Sequence, residues 1–255
     1  MVIPFSHHHH TTTTTTTTTT TPEAMVDIPL ILVSPYVLGP PLGYVALVLA
    51  CRALGPRRLA PLLRLRLAHN LLLACSSFLV GWATVQKLRD RYGVYETVCV
   101  ASAGAAPYWY ASKLWEWFDT VLIYARGRKP SALHLGHHAT TASVVALNLL
   151  GRERPTPLFD VGTALNATVH TYMYLYYSDP LTFGPFRRAI TRAQIAQHVI
   201  VVVSLASALA TPGCDAPLAP YAASLAAYGF YLLAFLGFYT NAYRRAPSAS
   251  HQKGC

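Results

Sequence analysis

The stretch Ser131-Ala-Leu-His134-Leu-Gly-His137-His138-Ala-Thr-Thr141 sets three imidazoles at i, i+3 and i+4, a spacing that stacks them on one face of a helix. They open a segment that turns apolar from Ala139 to Leu150 and is long enough to enter a bilayer. Ionisable groups inside a membrane are costly, face the bundle interior and mark function. The rest of the chain is therefore read for polar groups that reach the same depth.

Composition supports that setting. Of 255 residues, 53% are hydrophobic and 12% charged, against a soluble average of about 25% charged. The net charge of +10 does not call for nucleic acid, because Lys and Arg in short cytoplasmic loops give the same total. The cysteines at 51, 75, 99, 214 and 255 form no Cys-x-x-Cys, which excludes zinc ribbons and dithiol redox motifs. Residues 1–27, with four His (7–10) and a Thr run (11–21), read as a disordered low-complexity tail.

Seven apolar stretches follow, at 28–51, 67–86, 98–124, 134–150, 158–177, 189–210 and 219–243. Most approach the roughly 20 residues that cross about 30 Å of hydrocarbon. The fold class expected is all-α: a polytopic membrane domain over 28–243, with a cytoplasmic tail at 244–255. Six spans is the competing count. Pro35, Pro40 and Pro41 kink the first stretch or delay its start. With seven spans, the loops 52–66, 125–133 and 178–188, the start of the sixth helix and the tail place fourteen basic residues on one face, against five on the other. The richer face is the cytoplasmic one, and the C-terminus lies there.

This topology brings His138, His170, Gln194, Gln197 and the run Lys113 to Asp119 to one layer, each within about 6–16 Å of the cytoplasmic end at 1.5 Å per residue. It also puts Cys99 and Cys214 near the opposite face, where a disulfide between them would persist in an oxidising lumen. Lys113, Glu116 and Asp119-Thr120 fall on one side of the third helix. Burying such charges merely to hold a bundle is unfavourable, since desolvation can exceed the attraction. An aromatic belt at a helix exit accounts for Tyr176 and Tyr177. It does not account for His170, two turns deeper. Gln194 and Gln197 also suit an interhelical hydrogen-bonded stripe. His69 reads as a helix-start residue near the cytoplasmic surface. Iron would need more ligands than the six histidines outside the two tails supply, with no second His-x-x-His-His box. Carboxylates could make up the number, which keeps a metal-dependent lipid desaturase or hydroxylase as an alternative. A seven-helix receptor or transporter is the non-enzymatic one.

Taken together, the motifs resemble the fatty-acid elongases, the membrane 3-ketoacyl-CoA synthases of the endoplasmic reticulum. Lys-x-x-Glu-x-x-Asp-Thr stands at Lys113, Glu116, Asp119 and Thr120. His-x-x-His-His stands at 134, 137 and 138. His-x-x-Met-Tyr-x-Tyr-Tyr stands at His170, Met173, Tyr174, Tyr176 and Tyr177, with Asn166 upstream, and Thr-x-x-Gln-x-x-Gln at Thr191, Gln194 and Gln197. His198 follows where the family often has Phe or Met.

The resemblance implies seven helices, six of them around an acyl tunnel, in the endoplasmic reticulum membrane. It implies acyl-CoA and malonyl-CoA as substrates and no further cofactor or metal, with reductase and dehydratase enzymes as partners. His137 would be the nucleophile and His170 the group facing it. His134, His138, Asp119 and Glu116 would set tautomers and orientation. Lys113, Asn166, Tyr174, Tyr177, Gln194 and Gln197 would line the substrate, and basic residues such as Arg126 and Lys129 would hold CoA phosphates, although positive-inside charge explains them equally well.

Overall fold

A computed structural model describes residues 34–56, 60–90, 94–99, 106–150, 159–214 and 218–244. The expected tail 1–27, residues 28–33, the charges at Arg57, Arg58, Arg91, Arg152, Arg154, Arg245 and Lys253, and residues 245–255 of the C-terminal tail lie outside them. The described residues are helical: α1 Pro35–Leu54, α2 Ala60–Arg89, α3 Val94–Cys99, α4 Ala106–Trp115, α5 Phe118–Ala125, α6 Ala132–Leu150, α7 Phe159–Ser178, α8 Pro180–Phe183, α9 Arg187–Ala210 and α10 Leu218–Tyr239. A 3₁₀ turn joins α8 to α9, and a π turn extends α10 through Thr240–Arg244. No extended β-strand occurs among the described residues.

Four helical stretches are long and apolar enough to cross a membrane: Pro35–Leu54, Arg64–Arg89, Pro180–Ala210 and Leu218–Tyr243. The helices α6 and α7 run 19 and 20 residues, about 28–30 Å at 1.5 Å per residue. They carry the histidine motifs, which lowers their hydropathy rather than their reach.

The prolines of α1 tie it to its neighbours. Ser34 caps its start, its Oγ accepting from Tyr36 N at 3.3 Å. Pro40 and Pro41 lack the N–H groups that would bond the carbonyls of Tyr36 and Val37 four residues back. Both carbonyls are met from other helices: Tyr110 OH donates to Tyr36 O at 3.3 Å, and Ser143 Oγ donates to Val37 O at 2.6 Å. In hydrocarbon an orphaned carbonyl has no water to turn to, so α1 docks on α4 and α6 through the bonds its own prolines free. Ser143→Ala is accordingly expected to cost about 1–3 kcal/mol while Ser143→Thr stays near the parent; melting curves in detergent check both.

Small residues let α2 and α7 approach closely along one seam. A Cβ at Gly81 would stand 3.3 Å from the Ala167 Cβ, and Ala167 is fully buried. Close approach of this kind is how helices pack where lipid removes the hydrophobic drive. Further along the same seam Leu73 and Ala74 pack against Tyr174, which delivers that phenol to the polar interior. Cys99, at the end of α3, is joined to Cys214, just after α9, the pairing expected from their shared face.

The third stretch departs from expectation. Instead of one helix, α4 and α5 meet at a break over Glu116–Trp117. There the backbone tightens: Trp117 N bonds Leu114 O, Asp119 N bonds Glu116 O and Thr120 N bonds Trp117 O, the i→i−3 pattern of a 3₁₀ turn. Lys113, Glu116 and Asp119 therefore do not share one stripe.

Candidate active site

The break sends the two acids to different partners. Glu116 stays with α4: Lys113 Nζ donates to its Oε1 at 2.6 Å, and both residues are buried. The ammonium also reaches Asn166 Oδ1 at 3.0 Å and lies 3.8 Å above the Trp109 ring, so its charge is met by an acid, an amide and a π face. His170 Nδ1 stands 3.3 Å from the same Glu116 oxygen, without hydrogen-bond alignment.

Asp119 points the other way. Its Oδ1 accepts from His69 Nε2 at 2.8 Å and its Oδ2 from Tyr174 OH at 2.7 Å. Trp115 Nε1 donates to His69 Nδ1 at 3.2 Å. Neither acid hydrogen-bonds an imidazole of α6 among the described residues. Thr120 does that work instead: its Oγ1 lies 2.8 Å from His134 Nε2 and 2.7 Å from the phenol oxygen of Tyr44. Tyr44, from α1, also stacks on His138 with ring centroids 6.1 Å apart.

The imidazoles of α6 sit close together, His134 to His138 at 4.2 Å and His137 to His138 at 5.4 Å between centroids. His138 Nδ1 is buried without a partner. His137 rests against Tyr231 at 5.1 Å, and among the described residues no side chain hydrogen-bonds its ring. His198, by contrast, is held through Nδ1 by the Gln194 carbonyl.

These groups surround a cavity of about 640 Å³. Its inner wall carries His134, His137, His138, His170, Glu116 and Asp119, and its sides Asn166, Tyr174, Tyr177, Gln194, Gln197 and His198. Its mouth is basic: Arg66, Arg126, Arg128, Lys129 and Arg187. Burial and then the neighbouring Arg66 and Arg128 pull the Arg126 guanidinium below its ordinary value. Lys113 does not line this cavity. It borders a separate chamber of about 20 Å³ behind His137, closed by Val144, Val145, Tyr228 and Tyr231. Among the described residues no group of three or more His, Cys, Asp or Glu is placed to hold a metal ion.

Comparison with known proteins fits this arrangement. The family model described as ELO: GNS1/SUR4 family matches residues 21–251. The chain belongs to that family. It is similar to fatty acid elongase sre1 of Dictyostelium discoideum, 28% identical over 223 residues, covering 79% of this chain and 81% of that protein. Fatty acid elongase A of the same organism is 30% identical over 205 residues, covering 71% and 72%. Very long chain fatty acid elongase 2 of Rattus norvegicus is 28% identical over 151 residues, and there the match spans about half of each chain, 55% and 52%.

In this ELO chain the sequence assigns Tyr44 no role and marks His69 as a helix-start residue near the cytoplasmic surface; the structure instead starts α2 at Ala60 and buries His69 well inside it, against Asp119 and Trp115. Both lie outside the motif-bearing block 113–198, on helices whose periodicity marks only apolar faces. For His69 a signal existed, since an imidazole with Asn70 beside it stands between Leu67-Ala68 and the apolar run Leu71 to Cys75.

Proposed function

We propose that the chain is a condensing enzyme of fatty-acid elongation, joining an acyl-CoA to malonyl-CoA to give 3-ketoacyl-CoA, CO2 and CoA. The observation that carries this reading is the cavity itself: a basic mouth suited to phosphates leads inward to His137, whose ring is unpartnered. His137 attacks the thioester carbonyl through one bare nitrogen. The C–S bond breaks, and CoA leaves as the thiol with the proton from the other ring nitrogen. The acyl group stays as an acyl-imidazole. Malonyl-CoA then loses CO2, and the resulting enolate attacks that carbonyl. The C–N bond breaks, and the departing imidazolate takes up one proton from the medium at the cavity mouth, which restores the neutral ring. His170, held beside Glu116, stabilises the enolate oxygen. Closed helices exclude the water that would hydrolyse the intermediate.

On this reading α1, α2, the α3–α5 run, α6, α7, α8–α9 and α10 are seven spans, six of them surrounding the acyl chain. The membrane is that of the endoplasmic reticulum, with the basic mouth and the C-terminus cytoplasmic and Cys99–Cys214 in the lumen. The two substrates bring all the chemistry, so no further cofactor is required; a reductase and a dehydratase would take the product onward. Tyr228 and Tyr231 must part from Val144 and Val145 for a long chain to pass His137. Membranes carrying the protein should release CO2 from malonyl-CoA only when acyl-CoA is added. Release at background, or release independent of acyl-CoA, rejects the reading.

A further inference from the structure

We propose that His69 is a positioning residue for the condensation step, acting through Asp119 and Tyr174; the proposal rests on the condensing reading above. An indole N–H can only donate. The His69 Nδ1 that Trp115 meets at 3.2 Å is therefore bare, and the neutral ring carries its proton on Nε2. That proton points at Asp119 Oδ1, 2.8 Å away. The other carboxylate oxygen takes the Tyr174 hydroxyl at 2.7 Å. Each oxygen of Asp119 is thus tied to a different ring, and the two rings meet edge to face, centroids 6.3 Å apart. Tyr174 in turn stands edge-on to His170 at 5.7 Å.

His69 is not among the residues of the cavity wall, whereas Asp119, Tyr174 and His170 are. It can reach substrate only by what it does to them. Without the Nε2–H donor, Asp119 is free to turn toward the basic mouth, where it would compete with the anionic substrates for cations. Tyr174 would lose the acceptor that sets its ring against His170.

The test compares variants in acyl-CoA-dependent CO2 release. Gln at 69 offers an N–H at nearly the reach of Nε2; Leu fills the space without a donor. His69→Leu should lower kcat about 10–100-fold, the range typical of residues that orient functional groups indirectly, with KM for acyl-CoA within about twofold. His69→Gln should regain most of that loss. Tyr174→Phe should fall in the same range, and joined to His69→Leu should add little, as for members of one network. Equal rates for Leu and Gln, or a fully additive double variant, overturn the proposal. Should His69→Leu fail to fold, the other two decide: a near-normal rate for His69→Gln with a large loss for Tyr174→Phe supports it, and any other pattern overturns it. A wild-type rate at background removes the condensing reading and this proposal with it; a normal wild-type rate with indistinguishable 69 variants removes this proposal alone.

Discussion

Alanine at position 137 is expected to reduce acyl-CoA-dependent CO2 release to membrane background, a loss of at least about 10³-fold, as for other covalent nucleophiles. The reasoning starts from lone pairs. A nucleophilic imidazole needs one nitrogen uncommitted and facing the substrate. His69 is bound on both nitrogens, His134 is engaged by Thr120, and His198 is held by the Gln194 carbonyl. His137 borders both the main cavity and the chamber behind it and carries no such commitment among the described residues. Its neighbour His138 also has a free Nδ1, but that atom is sealed in the packing. The decisive measurement is covalent labelling. Protein incubated with radiolabelled acyl-CoA alone should retain an acyl group that hydroxylamine removes, and His137→Ala should retain none. A variant that still labels would move the nucleophile to His138 or His170, whatever its turnover.

How much of this was legible in the sequence depended on which contacts are local. The helix-periodic motifs at 134–138 and 170–177 fixed which residues share a face, and the structure places both sets on one cavity. The pairing of Cys99 with Cys214 was expected from charge bias and span order together with an oxidising compartment on that face, and the structure joins the two. The break at Glu116–Trp117 did not, because Lys113-x-x-Glu116-x-x-Asp119 spells a regular helix and only tertiary partners reveal the tightened turn. The division of labour between the acids was invisible for the same reason. Asp119 and His69 are fifty residues apart, and no periodicity links them. The two orphaned carbonyls of α1 were implied by Pro40 and Pro41, but the hydroxyls that meet them, Tyr110 and Ser143, lie on other helices.

The second large effect is expected at the Lys113–Glu116 pair. Lys113→Met should destabilise the protein by about 3–5 kcal/mol, the cost of stranding one member of a buried ion pair. Every neighbour in the structure points to that cost. Glu116 is 1% exposed and Lys113 2%, and Glu116 Oε2 already lacks a partner, so among the described residues no second Lys or Arg stands ready to replace Lys113, and the nearby His170 ring is off-line. Pairing the change with Glu116→Gln should recover most of the lost stability, since a buried ion pair exchanged for neutral groups of similar size is often tolerated. Melting curves of the two single variants and the double variant in detergent measure the coupling. A double variant no steadier than Lys113→Met would show that the pair is not what the fold depends on. Turnover then separates structure from chemistry. The double variant restores packing but faces His170 with an amide instead of a carboxylate. If Glu116 serves only the fold, activity returns with stability. If it also orients and polarises His170, as the condensing reading holds, the refolded double variant stays about 10–100-fold slow, and the charge pair that looked like scaffolding is part of the reaction.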